Sequence, residues 1–112
     1  MDILERLTTI LEQRRGADPK SSYVAKLYQD GLDRILKKVA EESAETLLAA
    51  KDHDGTGRDD ALVHEVADLW FHTIVMLVHL DQKPAWVMEE LERRFGTSGH
   101  VEKATRPASR ND

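Results

Sequence analysis

The stretch from Asp60 to Leu80, DALVHEVADLWFHTIVMLVHL, decides the fold class of this 112-residue chain. At about 100° per residue, its apolar side chains cover well over half of a helical wheel, which predicts one long and mostly buried helix. The remaining sector is a narrow stripe of Glu65, Asp68, His72 and His79. Because an unpaired buried carboxylate is costly, both acids of this stripe require a partner or a cation.

The preceding stretch KKVAEESAETLLAAK, residues 37–51, also has the pattern of a helix, and it places three acids within about one turn. Glu45 lies four and three positions after Glu41 and Glu42, where like charges repel by roughly 0.2–0.5 kcal/mol per pair. The lysines four positions before Glu41 and Glu42 are in the weaker orientation for helical ion pairs. Taken alone, the three acids fit an exposed helix face as well as a binding site.

The two helices together favour a metal site. Each offers a pair of acids at a spacing of three, Glu42 with Glu45 and Glu65 with Asp68. If the pairs face each other across a bundle, four carboxylates form a cluster that needs a positive ion inside it. Oxygen donors favour a hard cation, so we expect Mg²⁺, with Mn²⁺ as a substitute. His72 is expected either to support Asp68 without binding the ion or to be a structural histidine with one hydrogen bond.

Helix signals account for most of the remaining chain. No strand-like alternation of useful length occurs, and the predicted fold is therefore all-α, a helical bundle of about five helices in a single domain spanning residues 1–112. An irregular basic tail is expected from about residue 97. The helix boundaries are predicted from a capping box at Asp2 and Glu5, a helix end between Arg15 and Gly16, a cap at Ser22, a break at Gly31, a helix end near Lys51, a first-turn proline at Pro84 and a stop at Gly96.

Composition excludes several classes of protein. Hydrophobic residues make up 40% and charged residues 33% of the chain, as in soluble globular proteins. The net charge of −5 argues against non-specific binding of nucleic acid, and the absence of cysteine excludes disulfides and thiolate ligands. Neither a signal peptide nor an uninterrupted apolar run of about eighteen residues is present, so no membrane span and a cytoplasmic location are predicted.

The acidic motifs resemble those of a known superfamily. Glu41-Glu42-x-x-Glu45 in EESAE, followed by Glu65-x-x-Asp68 in EVAD, resembles the metal signature of the all-α, MazG-like nucleoside-triphosphate pyrophosphohydrolases. The wider segments SSYVAKLYQDGLDRILKKVAEESAE, EVADLWFHTIVML, ELERRFG and SGHVEKATR resemble the phosphoribosyl-ATP pyrophosphatase family within it. This similarity runs from about residue 4 to residue 106, and its acidic positions are all intact.

The resemblance implies a reaction, a cofactor and an assembly. The reaction is hydrolysis of phosphoribosyl-ATP, a small-molecule nucleotide, to phosphoribosyl-AMP and pyrophosphate, the second step of histidine biosynthesis. Mg²⁺ is the implied cofactor and a homodimer the implied assembly. The implied metal ligands are Glu42, Glu45, Glu65 and Asp68. Glu41 is implied either to support these ligands or to accept a proton from water. The candidates for binding phosphate are Lys38, Lys103 and Arg106.

Two other functions fit parts of the sequence. A house-cleaning pyrophosphohydrolase for damaged or excess nucleotides would keep the fold and the metal but change the substrate. A non-catalytic helical dimerisation module would leave the acids as a solvated patch. Dimerisation also has a physical basis, since a short chain has few helices with which to cover the apolar helix at residues 60–80.

Overall fold

The computed structural model describes residues 2–53 and 60–96. Within these ranges there is no strand, and the prediction of an all-α bundle is confirmed. The elements are α1 (Ile3–Gln13), a 3₁₀ turn (Arg14–Gly16), α2 (Tyr23–Asp30), α3 (Leu32–His53), α4 (Asp60–His79) and α5 (Pro84–Phe95).

Local sequence signals set most of the helix ends. The Asp2 side chain accepts a hydrogen bond from the Glu5 amide, and the Ser22 side chain accepts one from the Ala25 amide. Gly31 separates α2 from α3 with a φ of +96°, a conformation that favours glycine. The first helix ends earlier than predicted, since residues 14–16 tighten into the 3₁₀ turn.

Helices α3 and α4 form the central pair of the bundle, and they run antiparallel. Thr46 on α3 contacts Glu65 near the start of α4, whereas Glu42, one turn earlier on α3, contacts His72 further along α4. Helices α1 and α2 cover one end of this pair. The buried apolar core is formed there by Leu11, Leu27, Ile35, Val75 and Val78.

The prediction that α4 is mostly buried is wrong for a single chain. Val63 and Trp70 are 54% and 67% exposed, and Ala67 between them is exposed as well. These side chains lie on the opposite side of the helix from Glu65 and His72, because their angular positions on the helical wheel differ by about half a turn. The described helices pack against the acid side of α4 and leave much of this outer face uncovered.

Helix α4 also has the length and composition of a membrane span, over Ala61–His79. It is the one such helix in the described part of the chain. This is weak evidence for a membrane, since core helices of water-soluble proteins meet the same criteria. Glu65 in its first half lies against α3, where it belongs to the group of carboxylates described next.

Candidate metal centre

Three of the four predicted ligand carboxylates lie together between α3 and α4. Glu42 and Glu45 on α3 and Glu65 on α4 each offer an oxygen atom, and these oxygens lie within 4.8 Å of one another. Glu42 is buried, Glu65 half-buried and Glu45 exposed. The cluster therefore extends from the bundle interior to the surface, which leaves a path for an ion and a substrate.

Two oxygens of the cluster are buried without any hydrogen-bond partner among the described residues. They are Oε2 of Glu42 and Oε2 of Glu65. Buried carboxylate oxygens are rarely left unsatisfied, because the lost hydration is not replaced. A hard divalent cation is the partner that suits several carboxylates at this separation, so the donor set fits Mg²⁺ or Mn²⁺.

The other oxygen of Glu42 has two nitrogen neighbours. Lys38 Nζ lies 3.5 Å and His72 Nδ1 lies 3.8 Å from Glu42 Oε1. Burial acts to lower the pKa of Lys38, but electrostatic interactions with Tyr23, Glu42 and Glu41 outweigh it, and the pKa is raised. Lys38 is thus a cation at neutral pH beside the cluster.

His72 is buried and has a hydrogen-bond partner at each ring nitrogen. Its Nδ1 lies 2.8 Å from the backbone carbonyl oxygen of Asp68, and its Nε2 lies 2.8 Å from the Tyr23 hydroxyl. His72 was expected either to support Asp68 or to be structural; its contact is with the Asp68 backbone and not with the side chain. The hydroxyl of Tyr23 stays protonated at neutral pH, since burial raises its pKa while Lys38 and Arg34 oppose the rise.

Asp68, the fourth predicted ligand, lies outside the group of three. Its Oδ2 is 3.2 Å from Nε2 of His64, four positions earlier on α4, and its side chain is 39% exposed. This contact of His64 was not predicted from the sequence. A histidine at this spacing from an acid is the one local signal that could have indicated the pair.

Thr46 is a second residue near the cluster whose contacts were not predicted from the sequence. Its hydroxyl donates to the Glu42 carbonyl oxygen at 2.7 Å and lies 3.3 Å from the Glu65 carbonyl oxygen. A threonine hydroxyl bonded back to its own helix is common, but here it also contacts the facing helix. Thr46 therefore fixes the register of α3 against α4 at the level of the three carboxylates.

The other predicted site residues lie beside the cluster or beyond the described ranges. Glu41 is half-buried next to Glu42, and it has no ion pair within residues 2–53 and 60–96. Lys103 and Arg106 lie outside the described residues.

Comparisons with known proteins identify the family. Residues 4–95 match the family described as Phosphoribosyl-ATP pyrophosphohydrolase. The phosphoribosyl-ATP pyrophosphatase of Hydrogenovibrio crunogenus is 54% identical to this chain over 111 residues, which cover 99% of the chain and 96% of that relative. Glu42, Glu45 and Glu65 all lie inside the matched region, as does every residue described around them. This chain belongs to the phosphoribosyl-ATP pyrophosphohydrolase family.

Proposed function

We propose that this protein is a soluble, cytoplasmic, Mg²⁺-dependent enzyme that hydrolyses phosphoribosyl-ATP to phosphoribosyl-AMP and pyrophosphate in histidine biosynthesis. Family membership supplies the reaction. The observation that carries the metal requirement is the group of Glu42, Glu45 and Glu65, with two buried oxygens that have no partner within the described ranges.

The ion would be held by Glu42, Glu45 and Glu65. The Asp68 carboxylate would join them by breaking its contact with His64. A side chain that is 39% exposed and bonded to an exposed histidine is free to make that change at little cost. When bound, a divalent ion neutralises phosphate charge and orients or activates a water molecule. The packing of α3 against α4, together with the Thr46 contacts, would hold these carboxylates in place around the ion.

The chemistry requires a proton acceptor. Water adds to a phosphorus of the α–β anhydride, the bridging P–O bond breaks, and pyrophosphate leaves. The proton of the attacking water passes to a carboxylate, for which Glu41 is our candidate because it is adjacent to the ligands and has no ion pair in the described part of the chain. Glu42 and Glu45 serve the reaction as ligands.

Basic residues would bind the phosphates of the nucleotide. Lys38 has a raised pKa and lies 3.5 Å from Glu42, so a phosphate oxygen that meets the ion is within its reach. Lys103 and Arg106 are proposed to bind the ribose phosphate or the triphosphate. Their assignment rests on the family resemblance of SGHVEKATR alone.

A homodimer is proposed as the working assembly. The outer face of α4 exposes Val63 and Trp70, the end of α3 exposes Leu47 and Leu48 by 71% and 67%, and α5 adds a further apolar surface. Large contiguous apolar patches on a soluble protein mark interaction surfaces. A second copy of the chain covers such a surface most simply, and Trp residues favour the centre of an interface.

A substrate panel tests the reaction. Purified protein is incubated with phosphoribosyl-ATP, ATP, dATP and a damaged nucleotide, each with Mg²⁺ or with a chelator, and released pyrophosphate is measured. We expect release from phosphoribosyl-ATP, and only with Mg²⁺. Preference for a free nucleoside triphosphate would indicate a house-cleaning enzyme instead. No release from any substrate would leave a helical module whose acids have another role.

A further inference from the structure

Tyr23, at the start of α2, makes the tertiary contact that anchors the His72 ring. The Asp68 carbonyl oxygen can only accept a hydrogen bond, so the His72 nitrogen that lies 2.8 Å from it, Nδ1, must carry the ring hydrogen. In the neutral ring Nε2 is then an acceptor, and the Tyr23 hydroxyl at 2.8 Å donates to it. The Asp68 carbonyl thus selects the tautomer of this buried histidine, and the Tyr23 hydroxyl anchors its opposite nitrogen.

Aromatic packing holds the same ring in one orientation. The Tyr23 and Phe71 rings both meet His72 edge to face, with centroids 5.8 and 5.2 Å away. In this orientation Nδ1 donates to the Asp68 carbonyl and also lies 3.8 Å from Oε1 of Glu42. The distance is too long for a hydrogen bond but short enough for electrostatic attraction.

The two oxygens of Glu42 therefore have different surroundings. Oε1 lies on the side of Lys38 and His72, at 3.5 and 3.8 Å. Oε2 is buried, and within the described ranges it has no hydrogen-bond partner. Nitrogen donors on one side of a carboxylate orient its other oxygen, which is how supporting residues tune metal ligands.

We propose that Tyr23 is a positioning residue for the metal centre: its hydroxyl, by donating to Nε2, anchors the His72 ring, which with Lys38 holds Glu42 with Oε2 free for the ion. This proposal rests on the proposed function, because it concerns the same metal. Tyr23 does not touch the ion or the reacting phosphorus; it acts through His72.

A purely structural role for Tyr23 makes a different prediction. Whether its role is structural or positioning, Tyr23→Phe removes a hydrogen bond and lowers stability. Only if Tyr23 positions the metal ligands does the substitution also lower the affinity for metal. Tyr28 offers a matched control on the same helix, since its hydroxyl also donates to a partner, the Leu11 carbonyl oxygen at 3.0 Å, in the apolar core.

The first experiment titrates Mn²⁺ into wild type, Tyr23→Phe and Tyr28→Phe by calorimetry, without nucleotide. Tyr23→Phe is expected to raise the Mn²⁺ Kd about tenfold, and Tyr28→Phe less than about twofold, at similar thermal stability. Equal Mn²⁺ Kd values for wild type and Tyr23→Phe would overturn the proposal.

Two His72 variants provide an independent comparison, which also covers the case in which Tyr23→Phe folds poorly. The amide nitrogen of Asn can occupy the place of Nδ1, whereas that of Gln reaches the place of Nε2. His72→Asn should therefore retain more Mn²⁺ affinity than His72→Gln, although Gln is the better helix former. The reverse order would indicate a structural role.

Glu45→Gln separates failure of this proposal from failure of the metal site. If wild type binds Mn²⁺, Glu45→Gln does not, and Tyr23→Phe matches wild type, the site stands and the positioning role of Tyr23 is rejected. If wild type and Glu45→Gln bind Mn²⁺ alike, the carboxylate site itself is rejected, and the positioning proposal with it.

Discussion

Individual carboxylates at the candidate metal centre are placed where they destabilise the folded protein when no cation is bound. Glu42 and Glu65 each bury an oxygen without a partner in the described part of the chain, and both lie in a group with Glu45 spanning no more than 4.8 Å. Such an arrangement is unfavourable without a cation, because like charges repel and the buried oxygens lose hydration. A stability measurement can therefore detect the site without any substrate.

Glu65→Gln is expected to raise the free energy of unfolding in a chelator by roughly 1 kcal/mol, since it removes one buried charge and keeps the shape. Saturating Mg²⁺ should stabilise the wild type by about 2.7 kcal/mol at one hundred times its Kd, and Glu65→Gln by much less. Urea unfolding in chelator and in Mg²⁺ gives all four values. Equal stabilisation of both proteins by Mg²⁺ would contradict a metal at Glu65.

Tyr28 predicts a pH dependence of stability. Burial raises its pKa from 10.0 to about 12, against the opposing charge of Arg15, and only the protonated hydroxyl can donate to Leu11. Because the folded pKa is the higher one, this stability is complete below pH 10 and is lost as the pH rises through 12. The stability advantage of wild type over Tyr28→Phe should shrink across that window. A constant difference in urea unfolding would contradict the shift.

At the scale of elements, local chemistry predicted the helix ends better than the contacts between helices. Asp2, Ser22 and Gly31 act within a few residues of their own position, so their roles can be inferred from spacing. The Thr46 contact with Glu65 and the Tyr23 bond to His72 cross 19 and 49 residues of sequence, respectively. They depend on how α2, α3 and α4 pack, which spacing within one helix does not reveal.

The cap of α2 provides a test at this scale. Ser22→Ala removes the acceptor for the Ala25 amide and should lower the free energy of unfolding by about 1 kcal/mol. Ser21→Ala is the matched control, since Ser21 is exposed and its hydroxyl makes one long 3.3 Å bond to the Asp18 carbonyl. Its change should stay within about 0.5 kcal/mol. Equal losses in both variants, measured by urea unfolding, would contradict the assigned cap.

At the scale of the whole molecule, the apolar pattern of α4 predicted the helix but not its burial. Periodicity shows that most of the circumference is apolar, yet it cannot show whether the same chain covers it. Val63 and Trp70 stay exposed because α1, α2 and α3 pack on other sides of the bundle. For this reason the sequence could predict which side of α4 carries the acids, but not that the opposite side is exposed in one chain.

The homodimer is tested by mass in solution. Light scattering at micromolar concentration should give twice the 12.7 kDa of one chain. Trp70→Glu should shift the mass toward the monomer, because it places a charge in the proposed interface. Ile3→Glu, which changes an equally exposed apolar residue on α1, should leave the mass unchanged. A monomeric wild type would reject the dimer.

The most direct test of the metal centre compares two acid variants in one assay, the release of pyrophosphate from phosphoribosyl-ATP as Mg²⁺ is varied. Glu45→Gln should lower the rate more than about 100-fold at saturating Mg²⁺, since it removes a carboxylate ligand of the ion that neutralises phosphate charge. Glu89→Gln, which neutralises an exposed acid on α5, should behave as wild type. Full activity of Glu45→Gln, or equal activity of wild type in a chelator, would contradict the carboxylate centre between α3 and α4.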